Sequence, residues 1–236
     1  SALTGSVSVD LGFPTAGVLL PSNLRDTTKV KSFTQEVRLS SNGDGPLQWV
    51  LGGFYSNTNR DYAQRLPTPG YDAFTDVAFG AGTSAAVANG FPLNSPYNAD
   101  INYDIEQKAV FGEASYAFGD QFTLTAGGRY YDFSEDRLFK SGGLFSNGDN
   151  QTGGTKSDGF TPRLLASFNA TDSVTINAQA SKGFRLGGIN DPLNIPLCTG
   201  GAGGVDALTY GNRPRYDDET LWNYELGVKT QGSGFT

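Results

Sequence analysis

Phe122-Thr-Leu-Thr-Ala-Gly-Gly-Arg-Tyr130 is the stretch on which the fold turns. Its even positions, Phe122, Leu124, Ala126, Gly128 and Tyr130, are apolar or small. Its odd positions, Thr123, Thr125, Gly127 and Arg129, are polar or small and end in a charge. A strand sends successive side chains to opposite faces, so this segment has one greasy face and one hydrophilic face. Val174, Ile176, Ala178 and Ala180 alternate in the same way with Thr175, Asn177 and Gln179. So do Trp222, Tyr224, Leu226 and Val228 with Asn223, Glu225 and Lys229. That pattern, repeated strand after strand, is what the wall of a water-filled membrane barrel needs.

The chain has 236 residues, of which 37% are apolar, a lean share for a soluble core of this size. Net charge is -7, and no basic stripe is present, which argues against nucleic acid as a partner. The single cysteine, Cys198, cannot form an internal disulfide and does not settle the compartment. No apolar run is long enough for a membrane-spanning helix, but barrel strands need only about 9–11 residues each and leave a weak hydropathy trace. No signal peptide is visible at Ser1, so either one was removed or the chain begins inside a longer protein.

The strands expected from the pattern are Phe33–Ser41, Leu47–Arg60, Ile105–Phe118, Gln121–Arg137, Gly159–Phe168, Ser173–Arg185 and Thr220–Thr230. Most are well beyond the usual strand length of about 5–6 residues. The links alternate in size. Residues 42–46, 119–120 and 169–172 are short and rich in Gly, Asn and Asp; the links at about 61–103, 138–158 and 186–219 are long. Residues 231–234 read as a further tight turn. Antiparallel hairpins with tight turns on one rim follow, the arrangement in which short turns are periplasmic and long loops extracellular. Residues 1–30 read as irregular, and no helix of useful length is expected.

The alternation extends to Phe33, Gln35, Val37 and Leu39 against Thr34, Glu36 and Arg38, and to Val110, Gly112, Ala114, Tyr116 and Phe118 against Phe111, Glu113 and Ser115. Leu164, Ala166 and Phe168 likewise oppose Arg163, Leu165 and Ser167. The polar track gathers Glu36, Arg38, Glu113, Arg129, Arg163, Arg185, Glu225 and Lys229, the residues expected to face a lumen. Polarity alone leaves open the solvent face of a β-sandwich. Rings gather near the tight turns at Tyr116, Phe118, Phe122 and Phe168, and near the opposite ends at Tyr130 and Phe184, as two aromatic girdles would. Lys182 falls on the apolar track, where a charge is tolerated if it snorkels towards an outer-leaflet phosphate.

Several of these segments resemble strands of TonB-dependent outer-membrane receptors. They are Phe33-Thr-Gln-Glu-Val-Arg-Leu-Ser-Ser41 with Leu47–Tyr55, Phe111-Gly-Glu-Ala-Ser-Tyr116 with Leu124–Tyr130, Thr161-Pro-Arg163, Ser181-Lys-Gly-Phe-Arg185 with Gly187-Gly188, and Glu219–Lys229, which ends Tyr-Glu-Leu-Gly-Val-Lys. They come in the family's order over most of residues 31–231. The resemblance implies an all-β antiparallel transmembrane barrel of about 22 strands, of which this chain supplies seven or eight. It implies residence in the outer membrane of a Gram-negative bacterium, contact with lipid and lipopolysaccharide, and uptake of a scarce nutrient such as a ferric siderophore or an oligosaccharide. A globular plug and a TonB complex would be partners. Neither a plug, an energy-coupling box nor the C-terminal strands are recognisable in residues 1–236, so the expected domain is an internal part of the barrel.

No enzyme is expected. The chain has no His and one Cys, which removes Ser-His-Asp triads and thiolate clusters, and no cofactor is called for. Asp217-Asp218-Glu219 and Glu135-Asp136 read as solvated charge, with a weak calcium site at 217–219 the next reading. Gly200–Gly204 lacks the setting of a phosphate loop. The ligand-binding candidates are loop residues that mix rings and charge: Arg60, Tyr62, Arg65, Tyr71 and Phe74 in one long link, Tyr210, Arg213, Arg215 and Tyr216 in another. Rings stack on sugars or aromatic chelators, and Arg pairs with anionic groups. The alternatives are a non-transporting surface or adhesin-like barrel and a soluble β-sandwich that binds carbohydrate.

Overall fold

The computed structural model describes residues 19–146, 150–191, 203–211 and 213–231. Its strands are β1 (Arg25–Ser40), β2 (Leu47–Arg65), β3 (Asn98–Phe118), β4 (Phe122–Gly142), β5 (Asn150–Thr171), β6 (Val174–Arg185), β7 (Gly188–Ile189), β8 (Arg215–Tyr216) and β9 (Glu219–Thr230). Short helices α1 (Tyr71–Phe79) and α2 (Thr83–Val87) lie between β2 and β3, and α3 (Val205–Tyr210) lies between β7 and β8. Seven strands form one antiparallel sheet in the order β1-β2-β3-β4-β5-β6-β9, and β7 and β8 form a separate ribbon. No second sheet covers either face among the described residues, so a β-sandwich is not the architecture. The sheet is open, with β1 and β9 as its edges.

Register confirms the two tracks. Cross-strand partners share a face, and the pairings join Leu39, Leu51, Gly112, Gly128 and Pro162 into one row on the apolar side. Below it run Trp49, Ala114, Ala126, Leu164, Ala180 and Tyr224, then Leu47, Tyr116, Leu124, Ala166, Ala178 and Leu226, then Phe118, Phe122, Phe168, Ile176 and Val228. Above it run Val37, Gly53, Val110, Tyr130 and Phe160. From Phe118 to Val110 this band covers about 26 Å of strand, or about 20 Å of height at a tilt of about 40°, close to the thickness a bilayer requires. These side chains are uncovered: Leu226 is 79% exposed and Val110 60%, whereas Thr125 on the opposite face is 7%.

The strands run much further than the apolar pattern does. Above the band the faces exchange character. The outer side becomes Asn57, Asn102, Asp104, Glu106, Asp132 and Asp136, and the opposite side becomes Ile101, Tyr103, Tyr131, Phe133 and Phe139. Water now lies outside, so greasy residues move in, and Tyr131, Phe133 and Phe139 are buried. For this reason the expected strand ends at Phe33, Arg60, Ile105, Arg137 and Gly159 fall short of the actual ones at Arg25, Arg65, Asn98, Gly142 and Asn150. Residues 25–30 are strand rather than irregular chain, and the supposed long link at 138–158 shrinks to residues 143–149. The expectation of no useful helix also fails, because α1 has nine residues. Residues 1–18, Cys198, most of Gly200–Gly204 and the turn expected at 231–234, apart from Gln231, lie outside the described residues.

Pro162 marks where the β5–β6 ladder stops. The last rung is Arg163 with Ser181, and Pro162 has no N–H to extend it. Above that point β5 pairs only with β4, while β6 continues with β9 to Arg185 opposite Glu219.

Candidate functional site

The eight charges of the polar track share one face by register: Glu36 and Arg38 on β1, Glu113 on β3, Arg129 on β4, Arg163 on β5, Arg185 on β6, and Glu225 and Lys229 on β9. Several are joined. Arg163 donates to Glu113 at 2.7 Å and to Gln179 at 3.0 Å, spanning β4 to do so. The rung between them is Gly127. A Cβ there would lie 3.0 Å from the Glu113 Cβ and 2.9 Å from the Gly112 carbonyl, so the glycine makes room for the bridge. Arg38 pairs with Glu36 and also sits 5.7 Å from the Phe111 ring centre. Arg129 lies 5.1 Å from that of Phe54, and Arg185 meets Glu219 at 3.1 Å. No ion pair involves Glu225 or Lys229 among the described residues.

Higher on the same face, above the apolar band, rings and guanidinium groups mix. Arg60 lies over Tyr103 at 4.0 Å, and its buried Nε has no hydrogen-bond partner. Tyr62 packs with Tyr97 and Tyr103 against the cluster of Ala99, Ile101 and Phe139. Glu135 is near enough to feel the charges of Arg60 and Arg137. Arg60, the last residue of the expected strand, and Tyr62, placed by sequence in the long link, are both wall residues of β2. Arg65, also on β2 but on the outer face by register, bridges Asp100 at 2.6 Å, donates to the Ala99 carbonyl at 2.8 Å and lies over Phe91.

The other loop candidates divide. Tyr71 is 1% exposed and set edge-on to Phe145, so it holds the β2–β3 loop together and is not presented to a ligand. Phe74 is half-buried on α1 beside it. Tyr210 is 65% exposed at the end of α3. Arg213 is exposed and lends its carbonyl to Asn190. Arg215 and Tyr216 form β8, opposite Ile189 and Gly188. The structure does not gather the two candidate sets into one cluster.

Sequence reading missed the residues that fold the third long loop inward. Arg137, 7% exposed, donates to the carbonyls of Ile189 and Asn190 and to the Asp191 carboxylate at 2.8 Å. Asp218 accepts from the Ser157 hydroxyl, from Tyr131 at 3.2 Å and from the Gly187 amide at 2.8 Å. Burial would raise the Asp218 carboxyl, but these donors outweigh it and hold the group below its ordinary range. The acidic run 217–219 is thus partly a latch, and among the described residues no cluster of acids, His or Cys fit for a metal is found. Phe184 was expected in the outward girdle; its ring instead lies flat on Tyr131 at 3.9 Å, because β6 has left β5 by then. Glycines at 159 and 187 make these approaches possible, since a Cβ would strike Tyr131 and the Tyr216 carbonyl respectively. The signal for Arg137 and Tyr131 was present, as both continue the odd-numbered track of β4 beyond Arg129.

The family profile described as TonB dependent receptor-like, beta-barrel, matches residues 4–236. Among solved structures, the crystal structure of the ferric yersiniabactin uptake receptor FyuA from Yersinia pestis superposes with a TM-score of 0.66 at 16% identity, over 90% of this chain and 28% of that one. This chain therefore spans little more than a quarter of that receptor's length. At that identity the likeness speaks for the fold, and the profile speaks for the family. The open antiparallel sheet agrees with both comparisons, and the profile match over residues 4–236 decides the family: the chain belongs to the TonB-dependent receptor β-barrel family.

Proposed function

We propose that this chain forms part of the wall of an outer-membrane receptor that takes up a scarce nutrient, with TonB supplying the energy. The observation that carries the proposal is the register. It sets five successive apolar rows on one face, and Glu36, Arg38, Glu113, Arg129, Arg163, Arg185, Glu225 and Lys229 on the other. In this reading the apolar rows meet lipid, the charges face a lumen occupied by a plug, and the short turns are periplasmic. The remaining strands and the plug come from sequence beyond this stretch, and the plug's N-terminal side engages the TonB complex.

The ligand surface is the upper part of the same face. Arg60, Tyr62, Tyr103 and Tyr97 offer a cation among rings, which suits an anionic, aromatic chelate such as a ferric siderophore more than a neutral sugar. The folded neighbour being a ferric-chelate receptor points the same way. An oligosaccharide is the second reading, favoured by the exposed rings Tyr210 and Tyr216.

The test is uptake of radiolabelled ferric chelates and of labelled oligosaccharides by cells that carry or lack the full receptor gene, with and without a functional TonB. Loss of one ferric chelate's uptake on deleting either gene is the expected result. Unchanged uptake of every solute with normal surface display would leave a non-transporting surface barrel as the better description.

A further inference from the structure

Two guanidinium groups share one rung of the inner face above the apolar band. The register runs from Arg60 on β2 through Tyr103 on β3 to Arg137 on β4. The two arginines are in opposite states. Arg60 lies on the Tyr103 ring, makes no ion pair or hydrogen bond among the described residues, and has its Nε buried without a partner. Arg137 is fully engaged. Its terminal nitrogens donate to the Ile189 carbonyl at 3.2 Å, the Asn190 carbonyl at 2.7 Å and the Asp191 carboxylate at 2.8 Å.

The third long loop thus sets an acid and two carbonyls on a cation that belongs to the wall. The Asp191 side chain is 66% exposed, whereas the Arg137 side chain it meets is 6% exposed. A carboxylate so open to water is readily exchanged for another anion, while the buried guanidinium keeps its need for one. The acid also stands within the ligand surface proposed above. Burial first, and then the Asp191 charge, push the Tyr97 hydroxyl above its ordinary range, so Asp191 lies close to that ring. Glu135, one rung below, is near enough to feel both arginines and pairs with neither among the described residues.

We propose that the rung of Arg60, Tyr103 and Arg137 is a two-armed site for a polyanionic ligand, and that residues 189–191 occupy its second arm as an internal stand-in for that ligand. The inference deepens the uptake reading and rests on it for a ligand that arrives from outside. Arg60 makes the first contact, because its fork is unengaged. A second anionic group of the ligand then replaces Asp191 and the two carbonyls on Arg137, and the loop is released. Two guanidinium forks with a ring between them suit a ligand that carries at least two carboxylate, phosphate or catecholate groups about a flat body. A neutral sugar has no charge with which to displace Asp191.

The test is hydrogen–deuterium exchange of a peptide covering residues 187–191 in the full receptor, titrated with iron-free citrate at neutral pH. Chloride and acetate at equal ionic strength are the controls. Citrate should speed exchange there, and the controls should not. Asp191→Asn should lower the citrate concentration for half effect about tenfold, because the competitor on Arg137 is weakened. Arg60→Gln should leave exchange without citrate as it is in the native protein, since no contact joins Arg60 to that loop among the described residues, and should raise the half-effect concentration about tenfold. Arg137→Gln should exchange fast from the start and ignore citrate. Citrate acting no better than chloride would overturn the site. A half-effect concentration unmoved by Asp191→Asn would overturn the stand-in role, and one unmoved by Arg60→Gln the two-armed rung. Uptake of every solute unchanged on deleting the receptor gene, with the citrate effect intact, would instead remove the transport reading and leave an anion site on a surface barrel.

Discussion

At the scale of single residues, the alternation has consequences that differ in size by face and by depth. Ala126 lies in the middle row of the apolar band and Leu124 one row nearer the tight turns. Ala126→Arg should cost about 2–4 kcal/mol and Leu124→Arg about 1–3, because the penalty for a charge falls from the bilayer centre to its edge. Arg129→Leu, on the other face, removes only a stack on Phe54 and should cost less than about 1 kcal/mol. Urea unfolding of the full receptor in lipid vesicles ranks the three, and equal losses would mean the faces are assigned the wrong way round. Gly127 gives a separate check. Gly127→Val would drive side-chain atoms into Glu113 and the Gly112 carbonyl and displace the Arg163 bridge, at about 1–3 kcal/mol. Gly53, where a Cβ meets nothing within 4 Å, should accept alanine with little change in the same assay.

At the scale of elements, the third long loop is held inward from two points, Arg137 on β4 and Asp218 ahead of β9. Because the Asp218 carboxyl is held below its ordinary value when folded, its contribution is complete above the unfolded carboxylate range of about 4 and is lost as pH falls through the lower folded value. Limited proteolysis of residues 186–218 should therefore quicken only in acid. Asp218→Asn should make cleavage fast at neutral pH and remove the acid dependence; an unaltered pH profile in that variant would show that the latch lies elsewhere. Arg137→Ala should expose residues 189–191 to cleavage at all pH values, since it removes donors to three consecutive residues. These contacts were poorly legible in sequence. Phe122–Tyr130 and Trp222–Lys229 could be read because hydrocarbon on one side and water on the other force a period of two. Above Tyr130 the outside is water as well, the polarity contrast inverts, and Tyr131, Phe133 and Phe139 no longer announce a strand. Arg60 and Tyr62 were singled out for their chemistry, but the strand was ended at Arg60 and Tyr62 left to a loop for the same reason. Tyr71 was misjudged differently: a ring in a loop can serve a ligand or the loop's own core, and only packing distinguishes them.

At the scale of the whole molecule, one open sheet of seven strands has two unpaired edges, β1 and β9, and no edge of this kind can rest in hydrocarbon. The 236 residues expressed alone should therefore fail to give a compact, heat-resistant species on semi-native electrophoresis after refolding into vesicles, whereas the full receptor should give one. A stable closed species from this stretch alone would contradict the partial-barrel reading. The height of the wall carries a different consequence. On β3 the ten residues from Asn98 to Gln107 stand above the apolar band, about 34 Å of strand and roughly 26 Å of rise at a common tilt. The rim thus works as a chimney rather than a porthole. In the receptor proposed above, a dissolved molecule would meet the collar well above the lipid surface, so first contact would be made out in the medium and the surrounding bilayer would have little say in it.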